Sequence, residues 1–266
     1  MPLVKKLRLT VEGSTLDCVR FGGGKKPLIM LPGLSLQGVG EAALPLAWAY
    51  RAFAKEYTIY VLDKRTVVPK GCTIKDLAED TALAIKRLGL AQADVLGVSQ
   101  GGMIAQELAI GFPDFVCRLV LAVTASRPNE TMERTVHGWI EMAQRDQWAA
   151  FTADMMERMY SPAYIKKYRW LLPLLSKMGK PRDKERFLAL AEACLTCNSW
   201  PRLDQIACPV LVLGGGQDQV LTGRASEEMA ERLQCEIYMY EGLGHAAYDE
   251  ARDFNQRVLE FLQSGG

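Results

Sequence analysis

Histidine is scarce in this chain: His137 and His245 are the only two among 266 residues. Any reaction that needs an imidazole base therefore has just two candidates for it. No run approaches the ~20 apolar residues that a helix needs to span a bilayer. The opening Met1-Pro2-Leu3-Val4-Lys5-Lys6-Leu7-Arg8 lacks the apolar stretch of a signal peptide, so the expected compartment is the cytoplasm. Charge of one sign is not in excess either. Thirty-two basic and 31 acidic residues leave a net charge of +1, with no overall field to draw the chain to nucleic acid or a membrane. The seven cysteines (Cys18, Cys72, Cys117, Cys194, Cys197, Cys208 and Cys235) are odd in number and scattered. They form no disulfide framework and are expected mostly as small core residues. Cys194 and Cys197 make a lone C-x-x-C. With no second pair and neither histidine near it in sequence, no metal, redox or other cofactor site is expected. Apolar residues make up 49% of the chain, enough for a substantial core.

What is present starts with Gly97-Val98-Ser99-Gln100-Gly101, a Gly-x-Ser-x-Gly string. In a chain with 23 glycines such a string arises by chance roughly 0.07 times, so its surroundings matter more than the string. Ala93-Asp94-Val95-Leu96-Gly97-Val98 reads as the end of a buried strand, and residues 103–109 are good helix formers. A strand that reverses into a helix within a residue or two pushes its apex side chain outward. It also brings the residues two before and two after the apex into contact. Gly97 and Gly101 fall at those positions, where a Cβ would clash, and Gly102 lets the helix lie close to the sheet. Ser99 is the candidate nucleophile.

A serine hydroxyl needs a base within hydrogen-bond reach, most often histidine. His245 follows the strand-like Tyr238-Met239-Tyr240 and the loop Glu241-Gly242-Leu243-Gly244, where a scaffold can display a reactive group. His137 lies in the helix-like Glu133-Arg134-Thr135-Val136-His137-Gly138-Trp139-Ile140 and is expected to be half-buried there, without a catalytic role. A carboxylate must then fix the imidazole tautomer. Pro209-Val210-Leu211-Val212-Leu213 reads as a strand buried on both faces, and the glycines after it lead to Asp218, the strand-end acid. Asp63 also ends a strand but precedes the nucleophile, and is expected to partner Arg65. Asp249 and Glu250 follow His245 so closely that they are expected on the exposed face of the next helix.

Nucleophile first, acid second and histidine last is the chain order of one fold among several that carry such a trio. With these residues the chain resembles the α/β-hydrolase superfamily over nearly its whole length. The resemblance implies an oxyanion hole made by the backbone N–H of Gln100, just after the nucleophile, and that of Leu34, in the loop after Pro27-Leu28-Ile29-Met30-Leu31. The family usually opens that loop with His-Gly; here it is Pro32-Gly33. A backbone amide supplies the bond, so the substitution bears on loop geometry rather than on the chemistry. The segment from Gly97 to Gln106 is similar to small capped carboxylesterases, including enol-lactonases of aromatic-acid breakdown and cofactor-free perhydrolase-like enzymes.

Strand-like runs near 4–11, 15–21, 27–31, 57–62, 93–98, 117–123, 209–213 and 235–240 alternate with helix-like runs. Among these is Ile74 to Leu88, opened by Thr73 as N-cap. The pattern predicts an α/β fold: a mainly parallel eight-stranded sheet with helices on both faces and an antiparallel hairpin at one edge around Glu12-Gly13-Ser14. Residues 126–207 show helix after helix with no strand-like run, and are read as a helical cap inserted into a core domain of 1–125 and 208–266. The cap holds Trp139, Trp148, Trp170, Trp200, Met155, Met156 and Met159, expected more often as packing than as substrate wall. It also holds Lys166, Lys167, Arg169, Lys177, Lys180, Arg182, Lys184 and Arg186 against Asp183 and Glu185, expected as a solvated helix face. The sharper alternative is a surface that attracts an acidic substrate or an acidic carrier protein.

The expected function is that of a serine hydrolase of carboxylic ester or lactone bonds, working through an acyl-enzyme on Ser99 without a cofactor and acting on a small molecule. Activity is expected to fall once His245 is protonated. C–C bond hydrolases and thioesterases use the same framework, and a receptor that retains the trio for ligand binding is the alternative of a different class.

Overall fold

The computed structural model describes residues 3–168 and 180–264. The strands are β1 (Lys5–Val11), β2 (Ser14–Gly22), β3 (Lys26–Leu31), β4 (Tyr57–Arg65), β5 (Ala93–Val98), β6 (Val116–Ala122), β7 (Val210–Gly215) and β8 (Glu236–Tyr240). The helices are α1 (Ala43–Ala49), α2 (Ile74–Arg87), α3 (Gln100–Gly111), α4 (Glu130–Gln144), α5 (Trp148–Met159), α6 (Pro162–Tyr168), α7 (Lys184–Cys194), α8 (Gly223–Leu233), α9 (Ala247–Glu250) and α10 (Phe254–Gln263).

The eight strands form one sheet in the order β1-β2-β4-β3-β5-β6-β7-β8. From β4 to β8 every neighbouring pair is parallel, while β2 runs antiparallel to both β1 and β4. The edge hairpin turns at Gly13, whose φ of +66° is a conformation glycine adopts without a Cβ penalty. All six residues of β5 and all six of β7 are buried, as a central parallel strand requires. Burying each Val or Leu side chain there is worth about 1.5–3 kcal/mol.

Successive side chains of a strand point to opposite faces, and the core divides accordingly. Ile29, Leu31 and Val95 pack on one face with α2, α3 and α8; Leu28, Met30 and Leu96 pack on the other with α1 and α10. Thr73 caps α2 with a full capping box: its hydroxyl accepts from the Asp76 N–H, and the Asp76 carboxylate accepts from the Thr73 N–H. The last helical stretch is split at residues 251–253, so that α9 is a single turn and α10 packs separately. Strand β4 runs to Arg65 rather than ending near residue 62, because Leu16 of β2 pairs with Arg65 and holds the strand extended. Among the described residues four α-helices, α4 to α7, and no strand lie between β6 and β7.

Several expectations need correction. Arg65 pairs with Asp80 on α2, not with Asp63, because α2 packs against β4 and brings the Asp80 carboxylate to the guanidinium. Asp63 instead faces Arg186 of α7 at 3.1 Å. His137 is exposed on α4 rather than half-buried, its Nδ1 against the Glu133 carbonyl. Within the basic run, Lys166, Lys167, Lys180 and Arg182 are exposed, but Lys184 and Arg186 are half-buried and paired with Asp146 and Asp63. Trp170, Arg169 and Lys177 lie outside the described residues. All seven cysteines are unpaired, and four are fully buried.

Candidate active site

The turn from β5 into α3 explains its glycines. Ser99 has φ +53° and ψ −120°, a conformation that costs about 1–3 kcal/mol for a residue with a side chain. The turn is held from β6 and the residues after it: the Ser99 N–H donates to the Ala122 carbonyl at 2.9 Å, and the Thr124 hydroxyl donates to the Ser99 carbonyl at 2.7 Å. A Cβ on Gly97 would lie 2.6 Å from the Gly101 carbonyl oxygen, and one on Gly101 would lie 1.9 Å from that of Leu31. Neither position has room for a side chain, so the helix start is pressed against both its own strand and the loop after β3.

Ser99, His245 and Asp218 come together in one hydrogen-bonded chain. The imidazole Nε2 is 2.9 Å from the Ser99 hydroxyl oxygen, and Nδ1 is 2.8 Å from Asp218 Oδ2. An ionised carboxylate can only accept, which places the imidazole proton on Nδ1 and leaves Nε2 to accept from the serine hydroxyl. The other Asp218 oxygen accepts from the N–H groups of Val220 at 2.7 Å and Leu221 at 2.9 Å. Both His245 and Asp218 are buried. Their loops meet because a Cβ on Gly215 would fall 2.1 Å from the Gly244 carbonyl oxygen: the two backbones touch there. The Gln217 N–H donates to the Leu243 carbonyl across the same contact.

The loop after β3 passes directly over the nucleophile, with a Gly33 Cβ position only 3.2 Å from Ser99 Cβ. Leu34 follows in that loop. Gln100 opens α3, where an N–H has no carbonyl in its own helix to donate to. The fully buried Gln100 side chain reaches into the helical insertion instead, donating to the Leu190 carbonyl of α7 at 2.6 Å.

Above Ser99 and His245 is a cavity of about 240 Å³. Leu36, Trp139, Phe151, Met155, Met159 and Phe187 form much of its wall, and none of the described residues lining it carries a formal charge. Phe151 sits edge-on to Phe187 at 5.4 Å between centroids, which stiffens this wall. Trp139 and the methionines Met155, Met156 and Met159 thus line the cavity, whereas Trp148 and Trp200 do not. His137, Asp63, Asp249 and Glu250 stand outside it. Asp249 accepts from the Tyr160 hydroxyl at 3.0 Å, and Glu250 accepts from both the N–H and the hydroxyl of Ser161. These two carboxylates fasten the end of α5 to the core rather than simply facing solvent. The Met159 carbonyl adds to this join by accepting from the Ala246 N–H beside His245.

One residue at the site went unread in the sequence. Lys64 is buried, and its ammonium donates to the carbonyls of Pro32 and Gly33, each at 2.6 Å. The available signal was a lysine just past Asp63 at the end of the strand-like Tyr60-Val61-Leu62 run. Among the described residues no group of three or more His, Cys, Asp or Glu side chains could hold a metal ion, and no helix is long and apolar enough to cross a membrane.

Comparison with known proteins agrees with this architecture. Residues 28–257 match the model of the Alpha/beta hydrolase family. The chain is 28% identical over 233 residues to 3-oxoadipate enol-lactonase 2 of Acinetobacter baylyi, covering 85% of this chain and 84% of that protein. Among solved structures, an alpha/beta hydrolase enzyme from a Medee basin deep-sea metagenome library superposes with a TM-score of 0.84 at 21% identity, over 96% of this chain and 97% of that one. The enol-lactonase of Burkholderia xenovorans LB400 superposes with a TM-score of 0.81 at 24% identity, over 96% and 99%.

Proposed function

The chain belongs to the alpha/beta hydrolase family, and we propose that it hydrolyses carboxylic ester or lactone bonds through an acyl-enzyme on Ser99. The observation that carries this reading is the unbroken Ser99–His245–Asp218 hydrogen-bond chain opening into an uncharged apolar cavity. His245 takes the Ser99 proton as the hydroxyl oxygen attacks the carbonyl carbon. The tetrahedral oxyanion is stabilised by the N–H groups of Leu34 and Gln100. As the C–O bond breaks, the imidazolium returns its proton to the leaving alkoxide. Water then repeats the sequence on the acyl-enzyme with His245 again as base, releasing the acid and restoring Ser99. Asp218 holds the ring throughout.

Residues 126–207 act in this reading as a cap whose methionines and aromatic rings enclose the acyl or alcohol group. Binding by such a wall is favoured by apolar burial and adapts through the flexible thioether chains. A carboxylate-bearing ester would find no cationic partner among the described lining residues. Uncharged esters and lactones are therefore the preferred substrates over acidic small molecules or an acidic carrier protein. Seven unpaired cysteines suit a reducing compartment such as the cytoplasm.

A panel of uncharged esters, lactones, thioesters and carboxylate-bearing esters tests the substrate class, with fluorophosphonate labelling and mass spectrometry to identify the nucleophile. The expected result is turnover of uncharged esters, label on the peptide containing Ser99, and loss of several orders of magnitude in activity in Ser99→Ala. Full ester turnover by Ser99→Ala would overturn the reading.

A further inference from the structure

Lys64 has no place in the chemistry just described, yet it is among the few buried charged side chains of the fold. Taking an ammonium out of water is costly, and an apolar chain of the same length would fill the same space without that cost. What the charge adds is specific: two charge-assisted hydrogen bonds, both to the loop that crosses Ser99. Gly101 abuts the Leu31 and Pro32 carbonyls of that loop. The loop is thus gripped between the start of α3 and the end of β4.

The second of these bonds has a direct geometric consequence. The Gly33 carbonyl and the Leu34 N–H are the two ends of one planar, trans peptide unit, and they point in opposite directions. A donor fixed on the carbonyl therefore fixes where the N–H points. A cationic donor also polarises the amide, which makes its N–H a stronger donor on the far side. We propose that Lys64 is a positioning residue for the oxyanion hole, its ammonium holding and polarising the peptide unit whose Leu34 N–H receives the developing negative charge. This rests on the assignment of Leu34 as an oxyanion donor under the proposed function.

The charged and titratable groups facing Lys64 come from two elements, β4 and α7. Asp63 neighbours it on β4, Arg186 of α7 donates to the Lys64 carbonyl, and Cys194 lies near it at the other end of α7. Burial pulls the ammonium down to about 8, with Arg186 adding to the shift while Asp63 opposes it. Burial holds the Cys194 thiol up at about 12, so it stays neutral over the same range. The cationic form of Lys64 thus gives way to the neutral amine in mildly alkaline solution. Above pH 8 and below the ordinary lysine range, the unfolded chain binds a proton that the folded chain has released. The Lys64 contribution to stability therefore rises with pH across that window. Activity that falls there reflects the site and not unfolding through this residue.

The test is kcat and KM against pH for an uncharged p-nitrophenyl ester, in the wild type and in Lys64→Met, Arg186→Met and Ser99→Ala. The wild type is expected to lose kcat with a midpoint near pH 8. Lys64→Met should lower kcat at pH 7 by about 10- to 100-fold, part of the effect of removing an oxyanion donor outright, with KM changed by less than about threefold. Its remaining activity should lack the alkaline limb while Ser99 still takes up fluorophosphonate. Arg186→Met removes a like charge and should move the limb to higher pH, an effect that a merely structural lysine would not produce. If Lys64→Met does not fold, the wild-type limb and its shift in Arg186→Met decide the matter. A wild-type profile flat from pH 7 to 9.5, a limb unmoved in Arg186→Met, or a folded Lys64→Met with wild-type kcat would each overturn the proposal. An active Ser99→Ala would instead overturn the proposed function itself.

Discussion

At the scale of single residues the site depends on which atoms are left free to react. Asp218 spends one oxygen on two backbone N–H groups and the other on His245, so its orientation is fixed from both sides. Asp218→Asn should keep the fold, but its amide can donate to Nδ1 and so favours the wrong tautomer. The expected outcome is a fall of roughly 10⁴-fold in kcat with an unchanged melting curve, measured by ester turnover and circular dichroism. The positive φ of Ser99 stores strain that the Ala122 carbonyl and the Thr124 hydroxyl hold in place. Thr124→Val, which removes one of these bonds without changing shape, should cost about 0.5–1.5 kcal/mol of stability on denaturant titration.

Elements meet here through backbone contacts that a single Cβ would block. Gly101→Ala would place a carbon 1.9 Å from the Leu31 carbonyl oxygen, forcing apart α3 and the loop after β3. A loss of about 1–3 kcal/mol in stability is expected, as for other overpacked sites, together with at least a tenfold fall in kcat because the displaced loop carries Leu34. Gly138→Ala is the comparison: nothing lies within 4 Å of its Cβ position in α4, so stability should be unchanged or slightly raised. Both follow from thermal melting of the purified variants. The helical insertion is fastened in a different way, through Ser161 on Glu250, Tyr160 on Asp249 and Arg186 on Asp63. The first two anchors lie within five residues of His245, and the third adjoins Lys64, whose ammonium holds the loop after β3.

Over the whole molecule, charge and thiol placement lead to one further expectation. Burial raises the thiols of Cys18 and Cys194 to about 12 and those of Cys72, Cys208 and Cys235 to about 11. A thiolate is the species that reacts, so at pH 8 the folded protein should react slowly with a disulfide reagent, and all seven thiols should titrate only after denaturation. Near-zero net charge gives no long-range steering. For an uncharged ester, kcat/KM is expected to change by less than about twofold between low and physiological ionic strength, as stopped-flow or plate kinetics can check.

How much of this was written locally differs from residue to residue. The strand–turn–helix around Ser99 follows from an apolar run, closely spaced glycines and a run of helix formers, because steric exclusion and side-chain periodicity act over a few residues. The burial of β5 and β7, the edge hairpin and the run of helices between β6 and β7 follow for the same reason. Which distant groups touch was decided only by the sheet order. Arg65 finds Asp80 because α2 packs across the end of β4, and Asp63 is thereby left for Arg186. Lys64 reaches the loop after β3 because β3 and β4 are parallel neighbours, a pairing that no local pattern encodes. Local sequence determined the elements and the loops from which reactive side chains project. The tertiary structure alone decided the partners of each charge and the wall of the cavity, since those depend on distances between segments that are remote along the chain.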